Sequence, residues 1–281
     1  MDGRMFRYST EDEHLIGFVS LTSTGSVCSK ALILVPGLGD GFMTLKYTEH
    51  LSKELLKIDC SLVQVNLSSS FLQFGISSLQ SDSKELTQLV KYIKNEFCFQ
   101  KIIFLGHSTG TQDALFFAKH SDASVMIDGF ILQAPISDRD IMAGMESTPH
   151  MLEEACKLKI EGRMDALLSE KLEGAPITAS RYLSLAERLG DDDMFSVDLS
   201  KEEMKSIIPN IQVPISLCYS THDEFVPDME GLKDMAKRLA DILKESSPNV
   251  DVKYFSGNHG LSKPDYYLPF AEYVCTFVST L

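Results

Sequence analysis

A serine lies between two glycines in the segment Gly106-His-Ser-Thr-Gly110, a G-x-S-x-G pattern that is typical of nucleophilic chemistry. An apolar run, Lys101-Ile-Ile-Phe-Leu105, comes directly before it, and a helical pattern over 109–120 follows. A sharp turn between a strand and a helix lifts a hydroxyl clear of the sheet, near the positive end of the helix. We therefore predict that Ser108 is a nucleophile. The alternative is a serine that only fills a tight turn.

A hydroxyl is a weak nucleophile at its own pKa, so it needs a base within hydrogen-bonding distance. His259 follows the last apolar run, in the Gly-rich segment Phe255-Ser-Gly-Asn-His-Gly260, where a side chain can reach over the strand ends. His107 lies inside the turn, and we expect it to point away from the Ser108 hydroxyl. The others are interpreted as surface or structural: His14, His50, His120, His150 and His222. We predict that His259 is the base, against the alternative of an ordinary loop histidine.

A carboxylate at a third strand end would fix the tautomer of that imidazole and stabilise its protonated form. The segment Tyr219-Ser-Thr-His-Asp-Glu-Phe-Val-Pro227 supplies two neighbouring acids, Asp223 and Glu224, just past an apolar run. We favour Asp223, because Asp-x-x-Val-Pro is the usual setting of this acid in hydrolases with a Ser, Asp, His order. Glu224 is the alternative.

An ester carbonyl that is attacked by a serine also needs two backbone N–H donors for the developing oxyanion. Thr109, at the start of the helix, would supply one. The other would come from the loop Pro36-Gly-Leu-Gly-Asp-Gly41, with Leu38 as the first choice and Gly39 as the second. The glycines of this loop do not form G-x-G-x-x-G, which argues against dinucleotide binding.

Short apolar runs alternate with helical patterns and thereby predict an α/β fold with a doubly wound, mostly parallel sheet. The predicted strands are 31–35, 61–65, 101–105, 129–133, 215–219 and 250–255, with an antiparallel strand at 14–21 before them. The predicted helices are 45–58, 83–97, 109–120, 229–243 and 265–278. Between the fourth and fifth of the six strands, residues 137–209 carry only helical patterns, too long for a loop. We predict a helical cap over 137–209, inserted before the penultimate strand, and a core of 1–136 and 210–281.

Composition narrows the classes of partner. The formal net charge is −14, which argues against nucleic acid and anionic membranes. No apolar run approaches the ~20 residues of a membrane span, and the N-terminus does not resemble a signal peptide. Six scattered cysteines favour a reducing, cytoplasmic location. We expect no cofactor and no metal, and we interpret Asp191-Asp-Asp193 as exposed, solvated charge or a helix cap. No feature predicts an oligomeric state.

Beyond these motifs, the chain resembles a family of α/β-hydrolases that includes fungal siderophore esterases of the fusarinine C esterase type. The resemblance rests on segments along nearly the whole chain, which are Pro36-Gly-Leu-Gly-Asp40, Gly106-His-Ser-Thr-Gly-Thr-Gln-Asp113, Gln133-Ala-Pro-Ile-Ser-Asp-Arg139, Pro176-Ile-Thr-Ala-Ser-Arg-Tyr-Leu-Ser-Leu185, Asp191-Asp-Asp-Met-Phe-Ser-Val-Asp-Leu199 and Ser220-Thr-His-Asp-Glu-Phe-Val-Pro227. The resemblance implies an α/β-hydrolase fold with a shared cap and a triad of Ser108, Asp223 and His259. It also implies hydrolysis of esters between hydroxamate-bearing units.

Two functions from different classes follow. The first is a serine hydrolase that cleaves carboxylic esters of a small molecule, and the second is a small-molecule receptor on the same scaffold with little turnover. Within the predicted cap, Arg139 and Arg181 either contact an anionic group of the substrate or pair with nearby acids, and we favour the pairing. Methionines of the cap either line an acyl pocket or pack in its core. They are Met142, Met145 and Met151.

Overall fold

The computed structural model describes residues 1–281, and its strands form one eight-stranded sheet. In chain order they are β1 Gly3–Arg7, β2 Ile16–Ser20, β3 Lys30–Val35, β4 Cys60–Val65, β5 Lys101–His107, β6 Gly129–Gln133, β7 Ile215–Ser220 and β8 Val250–Phe255. Their order across the sheet is β1-β2-β4-β3-β5-β6-β7-β8. The pairs β1–β2 and β2–β4 are antiparallel, and all other pairs are parallel. The predicted fold class is confirmed.

Helices cover both faces of this sheet. They are α1 Thr48–Leu56, α2 Leu79–Glu96, α3 Thr109–His120, α4 Asp138–Met142, α5 Thr148–Ile160, α6 Ala179–Ala186, α7 Lys201–Ile207, α8 Met229–Leu243 and α9 Pro264–Ser279, with 3₁₀ turns at Phe71–Ile76 and Asp122–Met126. Helices α1 and α9 pack on one face, and α2, α3 and α8 pack on the other. None of the helices is long and apolar enough to cross a membrane. The cytoplasmic location stays a prediction.

The central strands are apolar almost throughout because both of their faces are covered. In β3, Leu32 packs in the core beneath α1 and α9, while its neighbour Ile33 packs in the core beneath α2, α3 and α8. Successive side chains of a strand point to opposite faces, so each residue of the run has its own apolar environment. Because strands β3 to β8 run parallel, their carboxyl ends lie at one edge of the sheet, where their side chains can come together.

Residues 137–209, which we call the inserted segment, lie between β6 and β7. They contain helices α4 to α7 and contribute no strand to the sheet. Two isolated β-bridges, Leu167 with Thr178 and Leu172 with Ala175, brace the turn between α5 and α6. The inserted segment has an apolar core of its own, to which Phe74 is added from the 3₁₀ turn before α2. The division into a cap and a core stays a prediction.

The first strand was not predicted. Strand β1 pairs along its whole length with β2, yet only Phe6 of its five residues is buried. An edge strand with one buried residue shows no apolar alternation, so the sequence carries no signal for it. Three of the predicted helices begin within one residue of the observed start, whereas α1 is shorter than predicted and α2 starts earlier, at Leu79.

Candidate active site

Ser108 occupies a sharp turn between β5 and α3. Its φ of 52° and ψ of −125° lie in a region that non-glycine residues rarely adopt, and such a backbone stores about 1–3 kcal/mol of strain. Its N–H donates to the carbonyl of Gln133 at 2.9 Å, and its own carbonyl accepts from the Thr111 N–H at 2.8 Å. These bonds hold the turn in place and leave the side chain outside the sheet.

The two glycines of the pattern are required by close approach of backbone. A Cβ on Gly106 would collide with the carbonyl oxygen of Gly110, and it would lie 3.0 Å from the Cα of Thr111. A Cβ on Gly110 would collide with the carbonyl of Val35 and lie 2.5 Å from that of Pro36. Helix α3 can therefore start directly against the ends of β3 and β5 only because both positions lack a side chain.

His259 lies in the loop after β8, and its ring is bonded to Asp223, which lies in the loop after β7. The imidazole Nδ1 donates to Asp223 Oδ2 at 2.8 Å, and the other carboxylate oxygen accepts the Phe225 N–H at 3.1 Å. The Asp223 side chain is only 1% exposed. A carboxylate can only accept, so the proton lies on Nδ1, and Nε2 carries a free lone pair.

Glu224 holds the backbone of His259 and not its ring. Its Oε2 accepts the His259 N–H at 2.8 Å, and Oε1 accepts from Asn258 Nδ2 at 3.5 Å. Partial burial raises the pKa of this carboxyl, but hydrogen bonds from the His259 and Glu224 amides and from Asn258, together with the nearby His259 ring, lower the pKa overall. The two adjacent acids thus contact different parts of one histidine.

Ser108 and His259 face one cavity of about 260 Å³ at the carboxyl edge of the sheet. The sheet side of its wall also contains Leu38, Asp40, His107 and Phe225. The inserted segment supplies the opposite wall, with Asp138, Ile141, Met142, Met145, Leu172, Glu173 and Leu185. The Ser108 hydroxyl forms no hydrogen bond within the protein, so it is free to meet a ligand that enters this cavity.

The two predicted oxyanion donors, Leu38 and Thr109, belong to elements that lie next to Ser108. Thr109 is the first residue of α3, and the first amides of a helix have no acceptor inside it. The loop after β3 packs against the serine, since a Cβ on Gly37 would lie 3.0 Å from the Ser108 Cβ. Leu38 lines the cavity, whereas Gly39, at φ 74°, packs near Phe74 and is not part of the cavity wall. This geometry favours Leu38 over Gly39 as the second donor.

His107, which we expected to point away from the Ser108 hydroxyl, contributes to the wall of the cavity. His107 lies opposite Gln133 in the register of β5 and β6, so both side chains extend over the same edge of the sheet. The His107 ring makes no hydrogen bond to Ser108, but it lines the cavity with its centroid 5.0 Å from that of His259. Burial, together with the nearby His259, lowers the pKa of His107 to about 3. This imidazole is therefore neutral at any physiological pH.

Gln133 joins the serine turn to the histidine loop and was not singled out from the sequence. Its Nε2 donates to the carbonyl of His259 at 2.9 Å, and its Oε1 accepts from His107 Nδ1. Its main-chain carbonyl accepts the Ser108 N–H. The signal that could have found it is its place at the carboxyl end of a predicted strand, which is where side chains of an α/β sheet meet.

Asp138, at the start of α4, adds a carboxyl to the cavity wall. Gln112 Nε2 donates to its Oδ2 at 2.7 Å. Burial and the negative charge of Asp192 raise the pKa of Asp138 to about 7. Asp40 and Glu173 also line the cavity, and burial raises the pKa of Asp40 as well. No lysine or arginine lines it.

Both arginines that were singled out in the inserted segment pair with acids. Arg181 Nη1 lies 2.5 Å from Asp192, and Arg139 Nε lies 3.0 Å from Asp193. The interpretation of Asp192 and Asp193 as exposed charge is wrong, because both side chains are buried against these arginines. Of the three methionines, Met142 and Met145 line the cavity, and Met151 packs in the core of the inserted segment. No group of three or more His, Cys, Asp or Glu side chains is arranged to hold a metal ion.

This chain is similar to a solved structure and to relatives of known sequence. A siderophore hydrolase, EstB, from Aspergillus fumigatus superposes with a TM-score of 0.76 at 26% identity, over 99% of this chain and 95% of that one. A UPF0613 protein of Schizosaccharomyces pombe is 30% identical over 84% of this chain and 81% of its own. Fusarinine C esterase sidJ of Aspergillus fumigatus is 30% identical over 68% of each chain.

The fold and these relatives identify the chain as an enzyme of the α/β-hydrolase class. A family model described as "Protein of unknown function (DUF1749)" matches residues 4–261, almost the entire chain. The match spans the serine turn, the inserted segment and the histidine loop. The chain belongs to this DUF1749 family.

Proposed function

We propose that this protein is a serine esterase that hydrolyses carboxylic esters of a small molecule through Ser108, His259 and Asp223. The observation that carries the proposal is the arrangement at the cavity. A serine on a strained strand-to-helix turn faces the same space as a histidine whose Nδ1 is bonded to a buried carboxylate. That arrangement supports nucleophilic attack with general-base assistance.

In the first half of the reaction, Ser108 Oγ attacks the ester carbonyl carbon, and His259 Nε2 takes the hydroxyl proton. Asp223 keeps the Nδ1–H tautomer and stabilises the imidazolium that forms. The amides of Leu38 and Thr109 donate to the oxygen on which negative charge develops. When the carbon–oxygen bond to the alcohol breaks, His259 gives its proton to the departing oxygen, and an acyl-serine is left.

In the second half, water attacks the acyl-serine while His259 Nε2 takes one of its protons. The tetrahedral intermediate collapses, the bond to Ser108 Oγ breaks, and the proton returns to that oxygen as the acid leaves. The same amides serve both intermediates, because the carbonyl oxygen occupies the same position in each step.

The inserted segment acts in this proposal as a cap that selects the substrate. It supplies more than half of the cavity wall, including Met142 and Met145, which can adapt to ligands of different shape. The names of the two Aspergillus relatives support siderophore-like esters as one class to test. Arg139 and Arg181 do not line the cavity, so recognition of such esters would have to use its neutral and acidic groups.

The test is the Ser108→Ala variant, assayed with short p-nitrophenyl esters and with a fluorophosphonate probe. We expect hydrolysis to fall by more than about 10³-fold and labelling to disappear. Labelling that persists in the variant would contradict the assignment of Ser108. Tight small-molecule binding by the wild-type protein, with a raised melting temperature and negligible turnover, would instead favour a receptor.

A further inference from the structure

A second cavity, of about 220 Å³, lies next to the first, and the two share one wall residue, Phe225. Helix α4 passes between them. Its Ile141 and Met142 line the first cavity, and Asp140 lines the second. Phe225 is 43% exposed, although it lies beside the buried Asp223 and His259. Its position between two cavities accounts for this exposure.

The walls of the second cavity are mainly apolar. They include Ile136, Ala143, Phe195, Val197, Val226 and Leu232. Its two carboxylates already accept backbone hydrogen bonds, Asp140 from the Val197 N–H at 3.0 Å and Asp228 from the Gly231 N–H at 2.9 Å. A ligand group in this cavity would therefore meet hydrocarbon and gain by burial of its own apolar surface. The first cavity, with Asp40, Asp138 and Glu173, is the more polar of the two.

Phe225 also touches the base. Its ring meets the His259 ring edge to face, with centroids 4.9 Å apart and planes at 87°. In an ester hydrolysis the histidine must give its proton to the departing alcohol oxygen, so that oxygen has to lie within hydrogen-bonding distance of His259. A chain attached to that oxygen then leaves the histidine past Phe225. The acid part, bonded to the carbonyl carbon at Ser108, stays in the first cavity.

We propose that the second cavity is the subsite for an aliphatic alcohol part of the ester and that Phe225 is the wall that sets which alcohols enter. The inference rests on the proposed function, since it assigns the two sides of a scissile ester. It carries a chemical prediction. The protein distinguishes esters by the length of the apolar alcohol chain more strongly than by the length of the acid chain.

The experiment compares two substrate series by acid release in a pH-stat. One series is alkyl acetates from methyl to octyl, and the other is methyl esters from acetate to octanoate. In wild-type protein we expect kcat/KM to rise along the alcohol series by up to about fourfold per buried methylene until the cavity is full, and to rise less along the acid series.

The informative variant is Ala143→Trp, which fills the second cavity from an exposed position on its rim. We expect the ratio of kcat/KM for hexyl acetate over methyl acetate to fall by about tenfold or more, since at least two buried methylenes lose their place. The matched control is Val125→Trp, at a position that is 86% exposed and lies before β6, at the opposite edge of the sheet. This control should keep the wild-type ratios in both series.

A second variant, Phe225→Ala, removes the wall and should raise the ratio of kcat/KM for cyclohexyl acetate over methyl acetate. Equal loss in both series for Ala143→Trp, loss confined to the acid series, or unchanged ratios in both variants would overturn the subsite. Wild-type protein that hydrolyses neither series would overturn the proposed function, and the subsite with it. That result differs from activity that is indifferent to Ala143→Trp.

Discussion

Asp223 and Glu224 are adjacent in the sequence, yet they contact different parts of His259. Asp223 accepts from the ring, and Glu224 accepts from the backbone N–H. Only the first contact can fix the tautomer that leaves Nε2 free to take a proton from Ser108 in the proposed reaction. The second holds the position of the loop. This difference can be measured with two variants that each keep the size of the side chain.

We expect Asp223→Asn to lower kcat by a factor on the order of 10³–10⁴, because an amide that donates to Nδ1 selects the wrong tautomer. Glu224→Gln, the matched control, keeps an oxygen for the His259 N–H and should lower kcat far less. Steady-state kinetics on a p-nitrophenyl ester would check both. A larger loss in Glu224→Gln than in Asp223→Asn would reverse the assignment.

At this scale the sequence predicts what is local. Ser108 is predictable because the turn, its glycines and the flanking elements are contiguous in the chain. The bond between Asp223 and His259 joins residues 36 apart, and its prediction depended on the Asp-x-x-Val-Pro motif and on the position of both residues after predicted strands. The places of Gln133, His107 and Phe225 at the cavity were not predicted, because they depend on which strands are neighbours. The burial of Asp192 depends in the same way on Arg181, which lies in another element.

At the scale of elements, helix α4 begins with Asp138, and burial disfavours the charged form of this acid. The pKa of Asp138 is raised from 3.8 to about 7, with burial as the largest cause. Between about pH 4 and pH 7 the native protein therefore binds more protons at this site than the unfolded chain does. The contribution of Asp138 to stability falls as pH rises through this window and is least favourable above pH 7.

The Asp138→Asn variant keeps an oxygen to accept from Gln112 and removes the charge. We expect it to raise the free energy of unfolding by about 2 kcal/mol at pH 8 and to have little effect at pH 4. The expected gain is below the full shift because the side chain lines an open cavity. Urea denaturation at the two pH values would measure it. A stabilisation that is larger at pH 4 would contradict the sign.

Helix α6 is fixed by one buried cation. Arg181 pairs with Asp192, and its Nε donates to the carbonyl of Phe74 at 3.2 Å. Two further buried acids face it, Asp82 and Asp113, and burial raises the pKa of both, that of Asp82 to about 7. The arginine thus compensates several carboxyls that would otherwise be unpaired.

We expect Arg181→Met to lower the free energy of unfolding by about 3–5 kcal/mol at pH 8, because it leaves buried carboxylates without a cation. The loss should be smaller at pH 5, where the raised pKa values of Asp82 and Asp113 let those two acids be neutral. Arg188→Met is the matched control, since Arg188 pairs with Asp198 and Glu203 at the surface, and it should change stability far less. Similar losses in the two variants would contradict the central place of Arg181.

At the scale of the whole molecule, the inserted segment is fixed to the rest of the chain through the 3₁₀ turn Phe71–Ile76. Phe74 is part of the apolar core of the inserted segment, and the Thr178 N–H donates to the carbonyl of Gly75 at 2.9 Å. Arg181 contacts the same 3₁₀ turn. Loss of the inserted segment would therefore expose buried groups of the rest of the chain, and the reverse also holds.

We expect thermal unfolding to show one transition, with equal calorimetric and van't Hoff enthalpies, because these contacts couple the two parts. Differential scanning calorimetry of the full chain would check this. Two resolved transitions would show that the inserted segment unfolds independently. A sequence predicts the existence of such a segment from its length and pattern, but its attachment depends on contacts such as Arg181 with Phe74, which have no local signature.

Gln133 has an evolutionary consequence. Its side chain accepts a hydrogen bond from the His107 ring and donates one to the His259 carbonyl. Its main-chain carbonyl accepts from the Ser108 N–H. A substitution at position 133 alone leaves a buried imidazole without a partner, and one at position 107 leaves a buried amide oxygen without a donor. Natural selection would therefore remove most single changes at either position. Among related chains, positions 107 and 133 should change as a pair, if they change at all.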